Sequence, residues 1–433
     1  MTRRSLTIGL LAATTALSPT SAVAQQAISR NSVTTISLPA PTSSAPTITG
    51  RPKSPLPMLK RLPAFPSSAT TPPRSQGVPG ARPVDQSQSF GVMSRNYGGK
   101  SFAYTTALVK PMTAPKNTSL INVATSSRPY LTSGKLWMKY SDGWYICSGA
   151  MLGKGIVNTA AHCVARFGRG TALGTGVASE VWFVPAATTN SRSSLSTAGP
   201  VGAWSVSVMY IPACYTTTTV RDQCKSKDSL GIVTSNDLAI LRLNKNSSRR
   251  LPFDVGVSYY AHGWNGYGFT DGNEFIASSK VLGQITTLGY PGALGDSSSN
   301  LGGSMVRTDS ASVYYVPDTD VKNHVWGTQQ TGGSSGSPVI TNFGTAPVID
   351  SSVAQPGLKP VRNVIVGAIS WGYTDKTLQV QGSSWYGQNT EYPDASYSDG
   401  RRNYGAGNIG FLMRAVCGRA PTYGGGQALG FCF

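Results

Sequence analysis

The sequence predicts an all-β protein built as a sandwich or a barrel, and three observations carry the prediction. With 49 Gly, 28 Pro and abundant Ser and Thr, apolar residues are diluted and turn residues are plentiful. Short β-branched and aromatic runs recur from residue 135 to residue 373, separated by Gly, Asn, Asp and Ser. Long helices are not expected; AHCVARF (161–167) and FLMRAVC (411–417) are the helical candidates, and each suits a strand end equally. A chain of 433 residues has room for two or three domains, although one β-barrel unit can pass about 200 residues.

In chain order, the first element reads as a secretory signal. Arg3 and Arg4 precede an apolar run from Leu6 to Leu17 and a small-residue exit at Ala22-Val23-Ala24, which places cleavage after Ala24. The arginine pair matches a twin-arginine signal only loosely. The run is too short to span a bilayer, no later run of about 18 apolar residues follows, and no cysteine follows the exit to carry a lipid. A secreted or periplasmic protein without a transmembrane segment is expected.

Residues 25–127 are dominated by Ser, Thr, Pro, Ala and Gln, as in SLPAPTSSAPTITGRPKSPLP. Too few spaced apolar residues offset the ordering entropy, so this leader is expected to be disordered, as a spacer, a pro-segment or both. It is also basic. Residues 1–130 hold 14 Lys/Arg against Asp85 alone (14 − 1 = +13), and residues 131–433 hold 23 against 17 (23 − 17 = +6). Such a leader suits either a plain soluble tail or weak association with an anionic cell surface. Its scattered charges lack the basic-aromatic interleaving of a single-strand binder, so no specific nucleic acid is expected.

From residue 128 onward the runs KLWMKYS, WYICSGAML, GIVNTA, VWFVPA, AWSVSVMYI, LAILRL, VLGQITTLGY, SPVI and VRNVIVGAISWGY read as strands. Six cysteines, Cys147, Cys163, Cys214, Cys224, Cys417 and Cys432, fit an oxidising compartment and allow 15 pairings into three bridges. With no C-x-x-C pair and three histidines, neither metal nor cofactor is expected.

Three fragments carry chemistry together: NTAAHCVARF with His162, SNDLAILRL with Asp237, and TGGSSGSPVI with Ser335. A serine hydroxyl needs a base to take its proton, and that base needs an acid to fix its tautomer and stabilise its cation. His262 and His324 lack a comparable context. Asp222 and Asp228 compete with Asp237, but only Asp237 directly precedes a strand-like apolar run. Ser334 and Ser337 compete with Ser335, but only Ser335 has glycine two before it and one after it, at Gly333 and Gly336.

TAAHC, DLAIL and GxSGSP in this order resemble the three signature blocks of chymotrypsin-like serine proteases, over roughly residues 131–433. The flanking KLWMKYSDGWYICSGAML and LGYPG are closer to secreted bacterial trypsin-like and glutamyl-endopeptidase-like members. The resemblance implies two antiparallel six-stranded β-barrels, at about 128–255 and 256–433. It also implies His162 as general base, Asp237 as its orienting acid, Ser335 as nucleophile, and the N–H groups of Gly333 and Ser335 as an oxyanion hole. Protein or peptide is the implied partner. Cys147 and Cys163 match the family's bridge across the loop of the base; Cys214 with Cys224, and Cys417 with Cys432, are paired only by proximity in sequence.

The same resemblance makes Ser370, Trp371 and Gly372 the strand that would bind extended substrate, although a packed core strand fits too. Gln329 stands where trypsins place an acid, which argues against selectivity for Lys or Arg. The histidine that glutamyl endopeptidases place before the Trp-Gly pair is replaced by Ile369 and Ser370. The polar stretch from Thr374 to Gly407 is long enough to shape a cleft. Ser334 stands where trypsin-like zymogens carry the aspartate that pairs with a new N-terminus, so activation of that kind is not expected. A catalytically inactive binding or surface module is the competing class. An α/β-hydrolase esterase is excluded by the order His, Asp, Ser.

Overall fold

The computed structural model describes residues 33–41, 45–48, 53, 104–109, 128–188, 194–217, 224–263, 282–294, 304–315, 321, 323–344, 362–372, 379–387, 392, 396–398, 403–418 and 429–432. The signal at 1–24 lies outside them, as do 374–378, 388–391, 393–395 and 399–402 of the 374–407 stretch.

Two antiparallel sheets form the body of the molecule. The first contains β1 (Val33–Ser37), β3 (Ser133–Tyr140), β4 (Gly143–Gly153), β5 (Ile156–Thr159), β6 (Glu180–Pro185), β7 (Trp204–Pro212) and β8 (Ala239–Leu243), with β2 (Tyr104–Val109) reserved for the other sheet. Its pairings run β7-β6-β3-β4-β5-β8 and return from β8 to β7, closing a six-stranded barrel with β1 added outside on β7. The second contains β9 (Ala261–His262), β10 (Leu282–Gly289), β11 (Met305–Tyr315), β12 (Asn323–Gly327), β13 (Pro338–Thr341), β14 (Val364–Gly372) and β15 (Val380–Trp385). Its circuit runs β10-β13-β14-β15-β12-β11 and closes through β10–β11, with β2 added on β11 and the short β9 on β14. A small ladder joins β16 (Ser396–Ser398) and β17 (Asn403–Ala406).

The period-2 alternation of each strand sorts side chains between two cores. On β3, Leu136 and Met138 enter the first barrel with Cys147, Met151, Phe183, Met209 and Leu241. Trp137, between them, points the other way, into a second cluster with Ile146, Leu288, Tyr290 and Met305, which fills the seam between the barrels. Ile285, Trp326, Val339, Val366 and Trp385 fill the second barrel. Of the two helical candidates, 161–164 forms the single turn α1 (Ala161–Val164). After the turn α2 (Ala213–Thr216), the other falls within α3 (Gly407–Cys417), whose Ile409, Leu412, Met413 and Val416 pack into the seam. The turn α4 (Leu429–Cys432) follows it. Among the described residues, no helix is long and apolar enough to cross a membrane.

The expectation of a disordered leader is corrected where the leader is described. Thr34, Thr35 and Ile36 pair with Ile211, Tyr210 and Met209, and Tyr104–Val109 pair in full register with Met305–Ser310. Ile36 and Leu38 join the core of the first barrel; Ile48 and Val109 join the seam. The Ser/Thr/Pro composition hid these short apolar anchors, each of which covers a sheet edge or face that would otherwise meet water. Of the leader, 33–41, 45–48, 53 and 104–109 are described; the rest lies outside the described residues.

Two outcomes follow from this packing. A chain beginning at residue 128 loses β1, β2 and four buried aliphatic side chains, worth about 1.5–3 kcal/mol each when fully buried. Its thermal midpoint is expected to fall by at least about 5 °C in calorimetry; an unchanged midpoint would show these strands to be ornamental. His324, on β12, is fully buried, and burial depresses its pKa from 6.5 to about 3. The unfolded chain therefore takes up the proton first. Stability carried by neutral His324 is complete above pH 6.5 and is lost as pH falls from 6.5 towards 3, at roughly 1.4 kcal/mol per pH unit. Urea titrations at pH 7, 5.5 and 4.5 are expected to show a smaller loss for His324→Gln than for the parent.

Candidate active site

The register of the first barrel brings His162 and Asp237 together. Thr159 on β5 pairs with Ala239 on β8; His162 follows the first by three residues on α1, and Asp237 precedes the second by two. His162 Nδ1 lies 2.6 Å from Asp237 Oδ2, and the backbone N–H of His162 donates to Oδ1 at 2.8 Å. Both side chains are buried, Asp237 completely. An ionised Asp237 accepts from Nδ1–H, which leaves the lone pair on Nε2. Beside them the Tyr215 phenol is held neutral: burial, and then the Asp237 carboxylate, raise its pKa well above the ordinary value.

Ser335 sits on the turn between β12 and β13. Gly333 and Gly336 have φ of +104° and +79°, a region that favours glycine. A side chain at Gly333 would meet the Tyr290 carbonyl at 2.5 Å, and one at Gly336 would strike Thr159, two residues before Ala161, and the Ser148 carbonyl. The turn is thus pressed onto the segment that leads to His162. Within it, Ser334 N–H donates to Thr331 O and Gly336 N–H to Ile369 O. Among the described residues, the N–H groups of Gly333 and Ser335 make no hydrogen bond.

The predicted substrate strand is placed with a different use for one side chain. Ser370 Oγ is fully buried, 2.5 Å from both Asp237 Oδ2 and Ile232 O. Its single proton can serve only one acceptor, and the carboxylate is the stronger. Ser370 therefore supports the acid, and its side chain does not face substrate. Trp371 is buried with its ring over Gly382, and Nε1 donates to Asn323 Oδ1. Gly372 pairs with Gln381 of β15, while β13 follows β14 only as far as Ala368. Gln329 is half-buried near Tyr104, a leader residue whose hydroxyl donates to Gln379 Oε1; burial raises the Tyr104 pKa, and the nearby Gln329 side chain opposes the rise.

Disulfides join Cys147 to Cys163, Cys214 to Cys224 and Cys417 to Cys432. The first ties β4 to α1 beside His162. Cys147, Cys163 and His162 also form a compact donor cluster, but the disulfide removes both thiolates, so this trio offers a metal one imidazole.

Several supporting residues carried no signal in the sequence. Ser148 N–H donates to Ser335 O, and Ser148 Oγ donates to Gly333 O while accepting from Tyr290 N–H. Ser384 Oγ accepts from Asp237 N–H and donates to Thr234 O. Asn408, at the start of α3, donates to Ser235 O and Trp385 O. Gln381 Nε2 donates to Ser334 Oγ at 2.7 Å and to Gln330 O at 3.1 Å, and Ser334 Oγ donates on to Thr331 O. This neutral, buried network occupies the ground beneath the serine turn. Serines, asparagines and glutamines occur throughout such a chain, and only the pairing of distant strands gives these ones a function.

No protein-family model matches the chain, and no curated protein matches it. Among solved structures it is similar to the protease Anisep from Arthrobacter nicotinovorans, at 20% identity over 60% of this chain and 91% of that one, with a TM-score of 0.39. It is similar to AL20, a thermostable serine protease from an extremophilic microorganism, at 16% identity over 59% and 91%, with a TM-score of 0.39. A Glu endopeptidase aligns at 16% identity over 60% and 87%, with a TM-score of 0.36. Likeness at this level carries no argument about chemistry, which rests on the side chains described above.

Gln381→Leu keeps the volume of the side chain and removes both donors. Amide hydrogen exchange at residues 331–335 is expected to accelerate by about tenfold or more, the equivalent of one or two lost buried hydrogen bonds, with β13 and β14 unchanged. Unaltered exchange in the turn would show that Gln381 does not hold it.

Proposed function

We propose that this chain is a secreted serine endopeptidase that hydrolyses peptide bonds through Ser335, His162 and Asp237. The observation that carries the reading is the buried His162–Asp237 contact, made beside a glycine-framed serine turn whose Gly333 and Ser335 N–H groups have no partner in the described chain. A packed structural histidine needs no such serine turn, and a linker needs no such glycine frame.

In this reading His162 Nε2 takes the Ser335 proton as Oγ attacks the peptide carbonyl. Asp237, itself receiving the Ser370 hydroxyl and the His162 N–H, stabilises the imidazolium. The negative charge on the former carbonyl oxygen is met by the two open N–H groups, at positions set by the protein rather than by mobile water. The imidazolium then protonates the departing amine, leaving an acyl group on Ser335. Water activated by His162 releases the acid product and restores the serine.

Acyl-side substrate would extend along β14 at Ser370–Gly372 through backbone bonds. The neutral Gln329 supports a preference other than Lys or Arg at the residue preceding the cleaved bond. Three disulfides and the N-terminal signal pattern support export to an oxidising compartment. The basic leader suits loose attachment to an anionic cell surface.

A fluorophosphonate probe is expected to label the purified protein, and Ser335→Ala is expected to abolish labelling at an unchanged thermal midpoint. Absence of labelling in the folded protein would favour the binding module. Asp237→Asn is expected to slow labelling and peptide hydrolysis by about 10³–10⁴-fold. Ser370→Ala, which removes one hydrogen bond to a charged group, is expected to cost about tenfold; equal losses for both would show that Ser370 acts on more than the acid.

A further inference from the structure

One leader residue lies beside the candidate site rather than in a barrel. Lys53 forms a parallel bridge with Tyr145 on β4: its N–H donates to Trp144 O at 2.8 Å, and its carbonyl accepts from Ile146 N–H at 3.0 Å. Its ammonium donates to Asp142 O at 2.9 Å, stands 3.9 Å from Asp142 Oδ2, and lies 5.5 Å from the centre of the Tyr145 ring. Asp142 is itself set in place by the Tyr145 hydroxyl at 2.6 Å and by Arg166 at 2.9 Å. Chain direction, carboxylate and aromatic face together recognise a basic residue in an extended peptide.

The position of this edge relative to Ser335 gives it meaning. Ile146 Cδ1 lies 3.3 Å from where a side chain on Gly333 would begin, and Ser148, two residues on, holds Ser335 O. The serine turn is therefore flanked by β4 on one side and by β14, through Gly336 N–H and Ile369 O, on the other. If β14 receives the acyl side of a substrate, β4 borders the leaving side. Tyr145 and Asp142 also line an open cavity of about 410 Å³ that reaches His162, Cys163 and Arg166, giving a bound chain room to continue.

We propose that the Trp144–Ile146 edge, with Asp142 and Tyr145, is a subsite for a basic residue of an extended peptide on the leaving side of Ser335, and that Lys53 fills it in cis. The side assignment rests on the peptidase reading; the recognition of a basic peptide does not. Lys53 acts as a built-in competitor, and peptides carrying Lys or Arg at that place are the substrates that displace it.

The test uses full-length Ser335→Ala, which cannot consume the probe, with and without Lys53→Glu. The probe is a fluorescein-labelled TITGRPKSPLP peptide, the leader sequence at 47–57, titrated by fluorescence anisotropy. Binding is expected to be at least tenfold tighter to the Lys53→Glu protein than to its Lys53 parent. A probe with Glu in place of its lysine is expected to bind at least tenfold more weakly, and adding Asp142→Asn is expected to reduce that discrimination below threefold. No binding to the Lys53→Glu protein, or equal binding of the two probes, overturns the subsite. Lys53 and Asp142 are largely exposed, so the variants are expected to fold, as a thermal melt will verify. Fluorophosphonate labelling of the Ser335-containing protein is scored separately: its failure would sink the peptidase reading while the anisotropy result still judges the subsite.

Discussion

A carboxylate with no access to water is the constraint around which this molecule is arranged. Burying Asp237 unpaired would cost several kcal/mol, and the chain offsets that cost with His162 N–H, the His162 ring and the Ser370 hydroxyl, while Ser384 receives the Asp237 N–H. These partners come from both barrels. The first barrel supplies the acid and the imidazole, and the second supplies Ser370 and Ser384, so the barrels are in register only when the carboxylate is satisfied. The seam core of Trp137, Tyr290, Leu412 and Val416 provides the area that drives the barrels together; the polar contacts determine how they meet.

The same seam explains why the serine turn needs little help from charge. Ser334, Gln381, Gln330 and Ser148 hold it by neutral hydrogen bonds from β15 and β4. A buried ion pair made by a newly cut terminus would make the turn conditional on that cut. A neutral network lacks that dependence. The leader is held in two ways: β1 and β2 are parts of the sheets, whereas Lys53 rests on an edge close to the turn with its side chain half in water. One segment therefore combines structural strands with a displaceable contact.

The second barrel also shows how one position can be reached from a distant part of the chain. Tyr104, more than two hundred residues earlier, lies near Gln329 because β2 pairs with β11 in a register that ends at Tyr104 and Ser310. A change in the leader can therefore reach the neighbourhood of Gln329 through backbone pairing alone.

The fold class, the strand runs of the first barrel and the segments that bring His162, Asp237 and the Ser335 turn close together were legible in the sequence because their signals are local. Alternation marks a half-buried strand, a glycine pair marks a forced turn, and the residues flanking each candidate fall within a few positions of it. What was missed is non-local. MVRTDSASVYY, NHVWG and VQGSSW, which became β11, β12 and β15, have the polar content of loops, and their strand character comes from neighbours across the barrel. The leader strands were hidden for the same reason: five or six residues inside a Ser/Thr/Pro background gain order only from the edge they cover. The hydrogen bond from the Ser370 side chain to Asp237 carried no local signal either, because it forms only where the barrels meet. Sequence by itself determined which groups could do chemistry, since nucleophile, base and acid are properties of residue type. Tertiary structure alone decided which serines, glutamines and lysines would serve them, because hydrogen bonding and burial depend on what stands three ångströms away in space.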